Sequence, residues 1–338
     1  MIRSGLNKVL PNRDYPYMNA RVSAKGAKLL DKNDYEQLLK MDSNEIARKL
    51  EEGSYGREIN ELGSALEGSQ LVEAALRKNL YRELRKLVEI SPEGLSSIIE
   101  CYIRRIDVTT YKRIIRWKKS NDSEDISSVV SPGYKVSKED IEALSEKTLE
   151  EIINQIDLGS SEEYKQEMSP SDSVEELENK LDTTYFKQLI SRAEKVGNKH
   201  FSDFVHNELE YENLRTVLRL KKSGIDEKDI RERLIDVEVS SLVEEILATE
   251  DVEEALNILR DSKWKIKKGS VEDVELQLKI ARRRNASKIM RTESMGLASV
   301  MAYIISKVAE VKNLRMVMQA KSTGLEAEKV RDKLVIDE

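Results

Sequence analysis

Glu210-Tyr-Glu-Asn213-Leu-Arg215-Thr-Val217-Leu-Arg-Leu-Lys221-Lys-Ser-Gly224 returns 100 residues later as Glu310-Val-Lys-Asn313-Leu-Arg315-Met-Val317-Met-Gln-Ala-Lys321-Ser-Thr-Gly324. The register holds past the glycine, where Ile230-Arg231 and Leu234-Ile235 face Val330-Arg331 and Leu334-Val335. Self-similarity at a long fixed period marks a chain assembled from copies of one supersecondary unit. A third copy runs from Ile106 to Asn121, with asparagine, the next best residue at a left-handed helix cap, in the glycine's place. A degenerate fourth spans Asn19 to Leu30. With Asn19, Thr110, Asn213 and Asn313 set as equivalent, the spacings are 91, 103 and 100 residues. The expected organisation is three units of similar size, 1–105, 106–208 and 209–338, the last including a closing anchor helix.

Composition narrows the class. Helix formers dominate, the 5 prolines all fall at or before Pro170, and no stretch alternates as a strand would, so the chain is expected to be all-α. Lys plus Arg number 57 against 63 Asp plus Glu, and a net charge of -6 gives no drive toward nucleic acid. The single cysteine, Cys101, excludes an internal disulfide and reads as a core thiol in an apolar run. Met1 to Asn19 has no apolar core of a signal peptide, and the most apolar segment, Met295 to Ser306, falls short of the ~20 residues a membrane span needs. No direct membrane span is expected.

Along the chain, residues 1–16 read as an irregular leader, with the first anchor helix beginning near Tyr17. Glycines 53, 56, 63 and 68 read as caps and turns between short helices, because a phosphate cradle would need a preceding strand and a Gly-Lys-Ser/Thr ending. Val72 to Leu87 predicts one helix; Ser91-Pro92-Glu93 predicts the start of another, with serine as N-cap, running from Leu95 to Ile106 into the anchor. Phe201 to Leu209 and Leu297 to Ala309 lead into their anchors in the same way. Asp157 to Ser173 is the expected surface loop, and Ser131-Pro-Gly133 and Lys265 to Ser270 are further breaks. Ser173-Val-Glu-Glu and Ser270-Val-Glu-Asp predict capped helix starts.

Candidate chemistry is sparse. His200 and His206, the only histidines, lie six residues apart and point about 240° from each other on a helix, which argues against a shared metal. Asp122 and Asp125 could share a cation but read better as solvated turn residues. No nucleophile elbow, Walker motif, Cys-x-x-Cys or His-Glu-x-x-His occurs, so no catalytic, cofactor or metal residue is assigned. Asn213 and Asn313 read as amides tying neighbouring helices. The most informative surface feature is a basic row on each anchor: Arg21, Lys25, Lys28; Lys112, Arg116, Lys119; and Arg215, Arg219, Lys222, each following helical spacing. In the last anchor only Arg315 remains of the row. Two readings stay open, a solvated face complementing the helix C-terminus and a set of equivalent faces that dock partners.

Asn19-Ala-Arg-Val, the tyrosine turn Glu52-Gly-Ser-Tyr55-Gly56, Glu310-x-x-Asn313-Leu-Arg315 after an apolar Tyr303-Ile-Ile helix, and Lys321-x-x-Gly324-Leu together resemble the C subunit of archaeal A-type ATP synthases, the counterpart of the d subunit in vacuolar-type ATPases. The likeness runs the length of the chain; Thr110-Tyr111-Lys112 departs from it where Asn-Leu-Arg is expected. The resemblance implies an all-helical, funnel-shaped protein of three similar domains about a pseudo-threefold axis. It further implies a non-catalytic rotor part without cofactor, held by partner subunits on the cytoplasmic face of the cell membrane. There it would join the proteolipid ring to the central shaft, for ion-driven ATP synthesis or ATP-driven pumping. The alternative from another class is a cytosolic helical-repeat adaptor, for which repeats of ~30–50 residues are the usual length.

Overall fold

The computed structural model describes residues 15–92, 94–120, 125–159, 163–267, 269–292 and 296–336. All regular structure among the described residues is helical. The fold class is therefore all-α. The chain forms two compact units: one continuous, Ser97–Lys263, and one discontinuous, built from the described parts of Pro11–Ser96 and Trp264–Glu338.

The discontinuous unit holds α1 (Tyr15–Gly26), α2 (Lys32–Leu38), α3 (Ser43–Glu51), α4 (Gly56–Leu62) and α5 (Gly68–Glu89) from the N-terminal side. The continuous unit follows with α6 (Ser96–Ile103), α7 (Arg105–Ser120), α8 (Ile126–Val129), α9 (Lys138–Ser145), α10 (Leu149–Gln155), α11 (Glu163–Gln166), α12 (Val174–Val196), α13 (Lys199–Lys222), α14 (Glu227–Glu232), α15 (Ser241–Leu247) and α16 (Val252–Asp261). The discontinuous unit is completed by α17 (Val271–Thr292), α18 (Leu297–Thr323) and α19 (Ala327–Arg331).

In the discontinuous unit α18 is the centre. Every residue from Leu297 to Lys307 is buried, because α1, α5 and α17 all pack on it. A helix apolar on all sides must be enclosed, and each Leu, Ile or Val so buried stabilises the unit by about 1.5–3 kcal/mol. That enclosure explains the apolar segment singled out above, and no helix of the described residues is long and apolar enough to cross a membrane. In the continuous unit α12 packs against both α7 and α13, and α13 against α14, α15 and α16.

Local starts follow side-chain chemistry. Asp31 and Asp42, Ser137 and Thr148, and Ser240 and Asp251 cap successive short helices, each pair 11 residues apart. The pairs recur at intervals of 106 and 103 residues. In each case a side-chain oxygen accepts from a backbone N–H that the first turn leaves unpaired. Ser173 and Ser270 cap α12 and α17 as their sequences predict. Gly224 and Gly324 sit after α13 and α18 at φ 71° and 69°, the left-handed conformation only glycine adopts freely.

Three expectations change. Ser91 is not an N-cap: its hydroxyl donates back to Leu87 O in the last turn of α5, and the next helix starts only at Ser96; Glu93 lies outside the described residues. The step from α6 into α7 is a turn at Arg104, bridged by Arg104 N to Glu100 O and Val108 N to Arg104 O. The first anchor begins at Tyr15, with Pro16 tolerated in the first turn; residues 1–14, Asn121 and Asp122 lie outside the described residues, as do 160–162 of the expected surface loop.

Candidate functional site

The repeated asparagines act as fasteners. Asn213 accepts from Ile235 N at 2.9 Å and donates to Ile235 O at 3.2 Å. Asn313 repeats this on Val335, at 3.0 and 2.9 Å. A primary amide presents one donor and one acceptor side by side, so it can serve both backbone groups of one extended residue. Thr110, at the same place in α7, only donates, toward Ile106 O and Ser131 O. One asparagine thus pins the chain that leaves the helix 22 residues later.

Three residues before each fastener stands a buried acid: Asp107, Glu210 or Glu310. Glu310 is 1% exposed and accepts from Tyr55 Oη at 2.6 Å, Lys307 Nζ at 2.8 Å and Leu30 N at 2.7 Å. Lys307 also donates to Tyr55 Oη at 2.9 Å, with its ammonium 4.1 Å from the ring centroid. Burial, and then the Glu310 carboxylate, push the Tyr55 phenol well above its ordinary range, so it stays a donor. The tyrosine turn and the glutamate of the C-terminal anchor, 255 residues apart, thereby meet in one closed cluster. Asp107 accepts from Lys135 N at 2.9 Å and Val136 N at 3.4 Å, and burial pushes its carboxyl up. Glu210 pairs with Lys263 at 2.9 Å.

Sequence reading passed over Lys307. Its signal was the first charge after the uncharged run Leu297 to Ser306, three residues before Glu310, a spacing that puts both on one face. Tyr55 also lines an open depression of about 510 Å³ with Lys28, Leu30, Leu38 and Leu50. Lys307 and Glu310 satisfy each other, Asp107 is held by backbone N–H groups, and these bonds tie helices and loops together. Among the described residues no three His, Cys, Asp or Glu side chains gather to hold a metal. His206 instead bonds Ser202 O and Glu238, each at 2.6 Å, and the Cys101 thiol is buried, which pushes its pKa up.

The basic rows differ from member to member in burial and in what they bond. Lys25 pairs with Glu83 of α5, Lys112 with Asp182 and Arg116 with Glu178, both acids on α12. Lys119 donates to Pro170 O and Asp172 O at 2.8 Å each, closing the C-terminal end of the loop before α12. Arg21 bonds Tyr17 Oη at 2.6 Å, and Arg215 bonds Glu212 at 3.0 Å while its guanidinium lies over Tyr211. Lys28, Arg219 and Lys222 are exposed. The rows are therefore brought to different tasks, several of them tying one helix to the next.

Comparison with known proteins adds identity to this geometry. The family model described as ATP synthase (C/AC39) subunit matches residues 18–333. The A-type ATP synthase C subunit of Methanococcoides burtonii is 31% identical over 351 residues, 99% of this chain and 98% of its own. The same-named proteins of Methanosarcina barkeri and Archaeoglobus fulgidus are 31% and 29% identical, covering 96% and 95% of this chain and 93% and 96% of theirs.

Proposed function

The chain belongs to the ATP synthase (C/AC39) subunit family and is a subunit of an A/V-type ATP synthase, and from that premise we propose that it is the non-catalytic part of the central stalk. In this reading it joins the membrane-embedded proteolipid ring to the central-shaft subunits, on the cytoplasmic face of the cell membrane, held there by those partners. Three units, 1–105, 106–208 and 209–338, share the task around a pseudo-threefold axis.

The observation that carries the reading is the closure of the Tyr55–Lys307–Glu310 cluster inside the protein. Its charges stiffen the packing of helices instead of meeting a substrate. A part that passes torque must deform little, and packed interiors have crystal-like density. Each charge crossing 100 mV releases about 2.3 kcal/mol, so the partner interfaces must hold against several such steps. We expect them to exceed the standard ~1,600 Å². The contact residues assigned to partners are the basic rows, Arg21, Lys25 and Lys28, Lys112, Arg116 and Lys119, and Arg215, Arg219 and Lys222, of which Lys28, Arg116, Arg219 and Lys222 are exposed.

Co-purification from native membranes tests the proposal. Recovery with a proteolipid ring and a coiled-coil shaft subunit is the expected result. Recovery as a free monomer from cells that contain such a ring would overturn it. Reversing the charge of Lys28, Arg219 and Lys222 together is expected to weaken assembly; unchanged assembly would remove those residues from the interface.

A further inference from the structure

Two anchors bind the capped helix that follows them in the chain. In α7, Asp107 accepts from Val136 N just before α9, and Lys118 donates to Ser145 O at its end, at 3.0 Å. In α13, Lys221 donates to Thr249 O after α15, and Arg231 of α14 reaches Glu244 at 2.8 Å. Among the described residues no such helix follows α18 and α19. Yet the same positions are occupied: Glu310 accepts from Leu30 N just before α2, Lys321 donates to Leu39 O at its end at 2.6 Å, and Arg331 reaches Glu36 at 2.8 Å. Leu30 precedes its N-cap Asp31 as Val136 precedes Ser137, and Lys118, Lys221 and Lys321 each stand eight residues after Thr110, Asn213 and Asn313.

We infer that α18 and α19 are the anchor of α2, so that Leu30–Leu39 is a strap clasped by side chains 280 to 295 residues away in sequence. Where its counterparts are covalently continuous with their anchors within 29 residues or fewer, the strap meets Glu310 across 280. The clasp also rests more on side chains than the other two, with Tyr35 and Leu38 buried beneath it. The backbones of α7 and α9, and of α13 and α15, lie against each other, whereas α18 and α2 approach at fewer positions. The flanking elements stay held, α1 on α18 and α3 on α5, so the strap can lift as a short segment between two docked helices. Lifting it lets water reach Glu310. The N-terminal helices therefore complete their packing only once the C-terminal anchor is present.

Amide hydrogen exchange on the full chain tests this. The amides of Tyr35–Leu39 are expected to exchange faster than those of Ile141–Ser145. Lys321→Met removes one bond from the strap and is expected to speed exchange at Tyr35–Leu39 by about two- to twelvefold, leaving Ile141–Ser145 unchanged. Lys118→Met is expected to do the reverse. Arg331→Glu is expected to act like Lys321→Met, and adding Glu36→Arg to restore protection. Exchange at Tyr35–Leu39 that ignores Lys321→Met, a uniform rise across both segments, or a charge-swapped pair no better protected than Arg331→Glu alone would each overturn the clasp.

Discussion

Replacing Glu310 with Gln leaves the Lys307 ammonium, whose side chain is 3% exposed, without its directly bonded counter-charge, the Glu83 carboxylate acting on it only from farther away. Breaking a buried pair from one side costs about 3–5 kcal/mol, since the remaining charge cannot regain water. The discontinuous unit contains about 160 residues, for which 1 kcal/mol shifts Tm by ~2–4 °C, so the expected fall is about 6–20 °C. Lys307→Met should cost a similar amount by stranding the carboxylate. Combining the two removes both charges, and the double variant should then cost clearly less than the sum, a coupling of about 1–3 kcal/mol. The two tryptophans make the assay specific: Trp264 lies buried in the discontinuous unit and Trp117 in the other, so Trp117→Phe leaves a fluorescence reporter of the relevant unit. Single variants costing under ~1 kcal/mol, or strict additivity, would refute the claim that this cluster holds the unit together.

Gly133→Ala would place its Cβ 2.2 Å from Asp107 Oδ1, and Gly56→Ala 2.1 Å from the backbone carbonyl of Glu51; each is expected to destabilise by about 1–3 kcal/mol, read as a lowered urea midpoint. Asn213→Ala and Asn313→Ala each strand both backbone groups of one residue, and a loss of about 1–3 kcal/mol in either is expected by thermal unfolding. Burial pushes Glu83 upward, but Lys25, Arg82 and Lys307 outweigh it and hold the carboxyl below its ordinary range. Its contribution is therefore present above pH ~4.5 and lost as pH falls through the lower folded value. Urea midpoints measured from pH 7 to pH 3 should fall below about pH 4.5, and Lys25→Met should flatten that fall.

What the sequence determined by itself was whatever depends on neighbours within a turn or two. Helical periodicity, the Ser173 and Ser270 caps, the glycine stops at 224 and 324, and the repeat of Asn213 at Asn313 are all readable because a helix is built from contacts three and four residues apart. The all-α class follows from them. Ser91 shows the limit of such reading: its Ser-Pro-Glu setting has the form of a cap, but a carbonyl of the preceding helix took the hydroxyl. Only the tertiary structure decided which helix faces which. A periodic pattern records that α18 has buried sides and says nothing of what covers them. So the meeting of Tyr55 with Lys307 and Glu310, the pairing of Lys25, Lys112 and Arg116 with acids 58, 70 and 62 residues away, and the clasp of α2 by α18 and α19 stayed hidden. Those contacts arise from the packing of whole helices, and packing depends on shapes that no short window of residues contains.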